Sequence, residues 1–160
     1  MIVATAGHVD HGKTSLIRGL TGVETDTLAE EIERGLSINL GYAYLSQASD
    51  HTLGFIDVPG HRRFINTMIS GISGVDMGLL VVAADDGPMP QTLEHIDVLD
   101  ILGVEALCVV INKVDRVDAL RVSEVLQQVD ALLQTRRWPE HVSFAVSSQS
   151  GQGLEALKKH

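Results

Sequence analysis

Residues Gly7-His8-Val9-Asp10-His11-Gly12-Lys13-Thr14 satisfy the pattern G-x-x-x-x-G-K-[ST] and lie between an apolar run and a helical stretch. The glycines let the chain curl until backbone N–H groups, continuing through Ser15, face a phosphate chain. The positive end of the following helix stands behind them. Lys13 adds a point charge for the terminal phosphates, and the Thr14 hydroxyl becomes a ligand of Mg²⁺. His8, Asp10 and His11 have spacing that could suggest zinc. A loop wrapped around an anion sends those side chains apart, however, and no thiol or carboxylate cluster completes a tetrahedron.

Two further motifs follow in order. Asp57-Val58-Pro59-Gly60 offers a carboxylate near Mg²⁺ and a Gly60 N–H that can meet a γ-phosphate. The same spelling in Asp100-Ile101-Leu102-Gly103 closes a helix and reads as a solvent-facing Asp100 with a C-terminal glycine. Asn112-Lys113-Val114-Asp115 ends a buried run. Its aspartate can accept hydrogen bonds from the N1–H and exocyclic amine of guanine, whereas adenine presents an acceptor at N1 and no such amine. The Lys113 stem can cover the base, and Asn112 can tie its loop to the phosphate loop. Ser147-Ser148-Gln149 could supply a backbone N–H to the guanine O6; alone, it is a serine-rich helix entry.

These motifs need a frame that brings loop ends together. Apolar runs at Ile2 to Ala6, Leu40 to Gln47, Leu53 to Asp57, Gly78 to Ala84, Ala106 to Ile111 and Val142 to Val146 read as strands. Helices are expected at Lys13 to Leu20, Arg62 to Ile72, Gln91 to Leu102, Val117 to Arg136 and from about Gly153. Ala48-Ser49-Asp50-His51-Thr52 reads as a hairpin turn, making the pair it joins antiparallel. The expected architecture is α/β of the P-loop NTPase type: a mostly parallel six-stranded sheet with one antiparallel edge strand and helices on both faces. Its ligand site lies beyond the carboxyl ends of the strands. Thr21 to Asn39, mixed and charged, reads as a mobile loop, and Glu30-Glu31-Ile32-Glu33 within it as a solvated face.

The 160 residues suffice for one domain, and the net charge of -9 argues against a nucleic-acid surface on this segment. The longest apolar stretch, Gly78 to Ala84, is far below the roughly 20 residues that span a bilayer. The first residues do not read as a signal peptide, so a cytoplasmic location without membrane contact is expected. The lone Cys108 reads as a buried core thiol.

The set of motifs resembles the translational GTPases: Gly7 to Thr14 reads GHVDHGKT, and Asp57 to His61 reads DVPGH where small signalling GTPases usually place glutamine after the glycine. Leu20 to Asp26, Arg34 to Asn39 and Leu40 to Tyr44 look like the bacterial selenocysteine-specific elongation factors, and the resemblance covers essentially the whole chain. Elongation factor Tu is similar in the phosphate and base motifs but has a longer first switch.

The resemblance implies a G domain over residues 1–160 that binds GTP and GDP with Mg²⁺ held by Thr14, Ser37 and Asp57. Ser37 stands where the family usually has threonine, keeping the hydroxyl but losing the methyl that helps fix the rotamer. Lys13, Gly60 and His61 form the catalytic set; Val9 and Leu36 gate His61, which swings inward to orient the attacking water. Gln91 to His95 also fits the family, although a polar helix start explains it equally well. The resemblance further implies slow turnover until the ribosome activates it. Aminoacyl-tRNA, in this family selenocysteinyl-tRNA, and an mRNA hairpin would be held mainly by domains beyond residue 160 of a longer, monomeric protein. A P-loop kinase or ATPase, or a guanine-nucleotide module that does not hydrolyse, remains open on the residues themselves.

Overall fold

The computed structural model describes residues 1–46 and 52–160. Six strands form one sheet: β1 (Ile2–Ala6), β2 (Gly41–Ser46), β3 (Thr52–Asp57), β4 (Met77–Ala83), β5 (Ala106–Asn112) and β6 (Val142–Ala145). They lie in the order β2-β3-β1-β4-β5-β6. Only β2 and β3 run antiparallel, with Gly41 opposite Asp57; the other pairs are parallel. The α/β reading and its strand assignments hold to within a residue or two. The turn expected over residues 48–52 lies outside the described residues except for Thr52, which opens β3.

The central strands are buried on both faces, which is why they read as unbroken apolar runs. Alternate side chains divide between two layers. Ala4, Leu80, Val82, Val109 and Ile111 pack with Met68 and Ile72 of α3 (Ile65–Ile72), Ile96 and Leu99 of α4 (Pro90–Ile101), and Val125, Val129 and Leu133 of α5 (Ala119–Leu133). Val3, Leu79, Val81 and Val110 pack instead with Leu16, Ile17 and Leu20 of α1 (Lys13–Thr21) and with Leu154 and Leu157 of a last helix, Leu154–Lys159. Cys108 is in this second layer, and burial pushes its thiol up to about 12. Among the described residues no helix is long and apolar enough to cross a membrane.

The connection from β1 leads to β2 on one side of it and that from β3 crosses to β4 on the other, so a crevice opens beyond the carboxyl end of β1, where Gly7 begins the phosphate motif. Gly12, at φ 87, turns the chain into α1 in a left-handed conformation that a side chain would strain.

Residues 21–39 depart from the expected mobile loop. Residues Ala29–Arg34 form a short helix, α2, and Glu31 in the supposedly solvated run is only 2% exposed. Its buried carboxylate accepts four backbone N–H groups, a partnership between side chain and main chain that leaves no trace in hydrophobic periodicity. Arg34 pairs with Glu30 one turn away, at the surface.

Candidate nucleotide-binding site

Lys13 opens α1 and is 6% exposed. Its Nζ donates to the carbonyls of Gly7 at 3.2 Å and His8 at 2.9 Å. Burial, only partly opposed by Asp57, Asp10 and Asp26, brings its pKa down to about 8. A buried ammonium held by loop carbonyls has the charge and the donor geometry to take an anion. Gly60, at the end of the β3 motif, leaves no room for a Cβ between Lys13 Nζ and the backbone of Val9. A side chain there would push the two loops apart.

The loop is gripped from behind by α4. His95 Nδ1 accepts the Gly7 N–H at 3.0 Å, and Gln91 Oε1 accepts the Val9 N–H at 3.2 Å. The amides of Gly7 and Val9, expected to face phosphate, are thus engaged with α4. His8 and His11 also approach each other, at 5.1 Å between ring centroids, where divergent side chains were expected. Gln91 and His95, one helical turn apart, therefore belong to the site although they read as an ordinary polar helix start. A polar pair at i, i+4 facing a buried layer is the signal that could have exposed them.

Acceptance from Gly7 requires His95 to be neutral at Nδ1. Burial, reinforced by Lys13 and His8, lowers its pKa to about 3, and burial with His8 lowers that of His11 to about 4. Both folded values lie below the unfolded one, so the unfolded chain binds more protons as pH falls from about 6.5 towards 3. Stability from these groups is full above that window and is lost on acidification, by about 1.4 kcal/mol per pH unit for each histidine. The urea midpoint of the nucleotide-free chain should fall between pH 6 and pH 5. His95→Gln should reduce that pH dependence, and an unchanged dependence would show that His95 titrates normally.

A hard-oxygen donor set gathers beside Lys13. Thr14 Oγ1 lies 3.1 Å from Ser37 Oγ, and Ser37 donates to Asp26 Oδ1 at 2.6 Å. The single serine proton is thereby used, so Thr14 donates to Ser37. Asp57 is 1% exposed and accepts Thr5 Oγ1 at 2.9 Å and Thr25 Oγ1 at 2.7 Å. Hydroxyls and carboxylates of this kind suit Mg²⁺. Thr14, Ser37, Lys13, Gly60, Val9 and Leu36 line one cavity together with Asp26, a carboxylate the motifs did not point to. Burial raises the Asp26 pKa, with Asp57, Glu31 and Glu24 adding repulsion against the Ser37 hydrogen bond. Asp57 is not among the lining residues, and neither is His61. It caps the turn Arg62–Phe64, its Nδ1 accepting the Arg63 N–H at 3.2 Å and its ring 6.1 Å from that of Phe64.

A neighbouring cavity is lined by Gly12, Ser15, Arg18, Asn112, Lys113, Asp115, Ser148 and Gln149, among others. Asn112 is its keystone. Its Nδ2 donates to the carbonyls of His11 at 3.1 Å and Gly12 at 3.4 Å, while its Oδ1 accepts the N–H and hydroxyl of Ser148. One side chain thus fastens three loops. Lys113 adopts φ 60, and its Nζ lies 3.9 Å from Asp85. Ser147 is fully buried, its N–H given to the Gln152 carbonyl and its hydroxyl accepting the Ser150 N–H, so its amide is committed within the turn. Arg18, on the α1 flank of this cavity, is a lining residue that no motif announced.

The geometry has close counterparts. Residues 1–159 match the family described as the elongation factor Tu GTP binding domain. The chain is 49% identical over its whole length to the selenocysteine-specific elongation factor of Escherichia coli, covering 26% of that protein. It is 38% identical to translation initiation factor 2 subunit gamma of Methanococcus maripaludis, over 98% of the chain and 45% of the relative. Among solved structures, a bacterial selenocysteine-specific elongation factor superposes with a TM-score of 0.94 at 43% identity, over 99% of this chain and 27% of that one. Translation elongation factor SelB from Methanococcus maripaludis, in complex with the GTP analogue GPPNHP, gives 0.85 at 28% identity, over 99% of this chain and 32% of that one. The chain thus spans about a quarter of the length of the curated selenocysteine-specific factors it matches.

Proposed function

The chain belongs to the elongation factor Tu GTP-binding domain family, and on that premise we propose that it binds and hydrolyses GTP as the nucleotide switch of a selenocysteine-specific elongation factor. The observation that carries the chemistry is the buried Lys13 ammonium beside the Thr14 and Ser37 hydroxyls, in a cavity next to the one that Asp115 lines.

In this reading Lys13 and the amides at the start of α1 spread the negative charge of the β- and γ-phosphates. Mg²⁺, held by Thr14, Ser37 and Asp57, supplies further neutralisation of the phosphate oxygens when bound. Gly60 presents its N–H to the γ-phosphate. His61 leaves the Arg63 amide, passes between Val9 and Leu36, and orients water in line with the bond that breaks. Arg116 lines the cavity but pairs with Asp85, and Arg34 is engaged with Glu30, so neither is free to act as a transition-state partner. Turnover is therefore slow until the ribosome assists. Loss of the γ-phosphate releases residues 21–39 and 60–74, and segments beyond this chain carry selenocysteinyl-tRNA and read the mRNA hairpin.

Titration with GTP and ATP tests the base assignment. A pocket that hydrogen-bonds one base through a carboxylate rejects the other by about 10³-fold or more. Equal affinity would return the chain to the P-loop kinases and ATPases.

A further inference from the structure

Glu30 and Glu33 are exposed, yet Glu31 between them is 2% exposed. Its Oε2 accepts the N–H groups of Thr27 and Leu28 at 3.0 and 2.9 Å, and its Oε1 accepts those of Ile38 and Asn39, both at 3.0 Å. Half of this is ordinary: a glutamate in the first turn of a helix often reaches back to the N-cap amide, here that of Leu28. The other half is not, because Ile38 and Asn39 lie beyond the far end of α2 and directly follow Ser37. One carboxylate therefore ties together the entrance and exit of the segment that carries the magnesium-site serine. Burial alone would raise its pKa, but the Asn39, Leu28, Ile38 and Thr27 amides hold it below the ordinary range. An amide in its place would set its NH₂ against two N–H donors.

We propose that Glu31 is a positioning residue for Ser37, closing residues 27–39 into a preformed unit that presents the Ser37 hydroxyl to Thr14. The inference rests on the guanine-nucleotide reading of the site. It also explains how serine serves without the methyl of threonine: the latch sets its backbone, and Asp26, accepting its proton at 2.6 Å, sets its rotamer. Because Ser37 meets Mg²⁺ and the γ-phosphate together, the latch matters for GTP and little for GDP.

The test is Glu31→Gln in the full chain, with exposed Glu33→Gln as control, titrated with fluorescent GDP and a non-hydrolysable GTP analogue over a range of Mg²⁺ concentrations. Two hydrogen bonds to a charged acceptor are lost, so affinity for the analogue should fall about tenfold or more and its Mg²⁺ requirement should rise. GDP affinity should stay within about twofold, and Glu33→Gln should match the native chain. Equal losses for both nucleotides, or none, overturn the proposal. Failure of the native chain to bind either nucleotide overturns the guanine-nucleotide reading and this inference with it. Should Glu31→Gln unfold, amide exchange on the native chain decides. Protected exchange at Ile38 and Asn39 in the nucleotide-free chain supports the latch, and exchange as fast as that of an unstructured segment refutes it.

Discussion

Asp115→Asn is expected to convert a site that prefers guanine nucleotides into one that prefers xanthine nucleotides. A carboxylate offers acceptors to both the N1–H and the exocyclic amine of guanine. Asparagine keeps one acceptor and turns an NH₂ towards the amine, setting donor against donor; xanthine, with a carbonyl at that carbon, accepts it. A site built around such a bond discriminates by about 10⁴–10⁵-fold, so the loss in GTP affinity should reach several orders of magnitude. The fold should tolerate the change. Asp115 sits in the exposed turn Val114–Arg116, held by the Val114 N–H on the Val146 carbonyl and the Arg116 N–H on that of Lys113. Competition between GTP and XTP for the native and substituted chains measures it directly. Unaltered GTP preference in Asp115→Asn would remove this residue from base recognition.

His61→Ala should lower single-turnover hydrolysis in the presence of ribosomes by about 10²–10⁴-fold, the span expected for a side chain that handles water or its proton. Nucleotide affinity should change little, since His61 lies outside the cavity lining in the resting arrangement. A loss confined to the chemical step, with binding preserved, marks an interaction made in the transition state alone. What restrains the imidazole is one hydrogen bond from the Arg63 N–H and the contact with Phe64. Breaking such a bond costs about 0.5–1.5 kcal/mol, a small barrier beside the gain from orienting water. The same substitution removes a helix cap, for which about 1 kcal/mol of stability is at stake, so the thermal midpoint should be measured alongside. Equal phosphate release from both chains would leave His61 as a cap and nothing more.

The parts of the molecule that were legible in the sequence are those whose physics is local. Leu79 to Ala83 and Leu107 to Ile111 are buried on both sides, so each reads as an unbroken apolar run. The Gly7 to Thr14 loop is legible because its glycines and lysine must occur at fixed spacing. Other features depend on partners far away in the chain. His95 reads as a polar helix residue until β1 brings Gly7, 88 positions earlier, against it. Glu31 reads as one acid among three because main-chain amides, which every residue possesses, are what claim it. Ser147 shows the converse: its neighbourhood marked it for base contact, but its amide had already been taken by Gln152.

The register of the antiparallel pair places Gly41 across from Asp57. The chain thus leaves residues 21–39 and approaches residues 60–74 at a single rung of one ladder. Like two doorposts set on a single sill, they keep a common span whatever is built at the opposite end of the β2–β3 hairpin. A slip of one rung would part them and send the Asp57 side chain to the wrong face of the sheet.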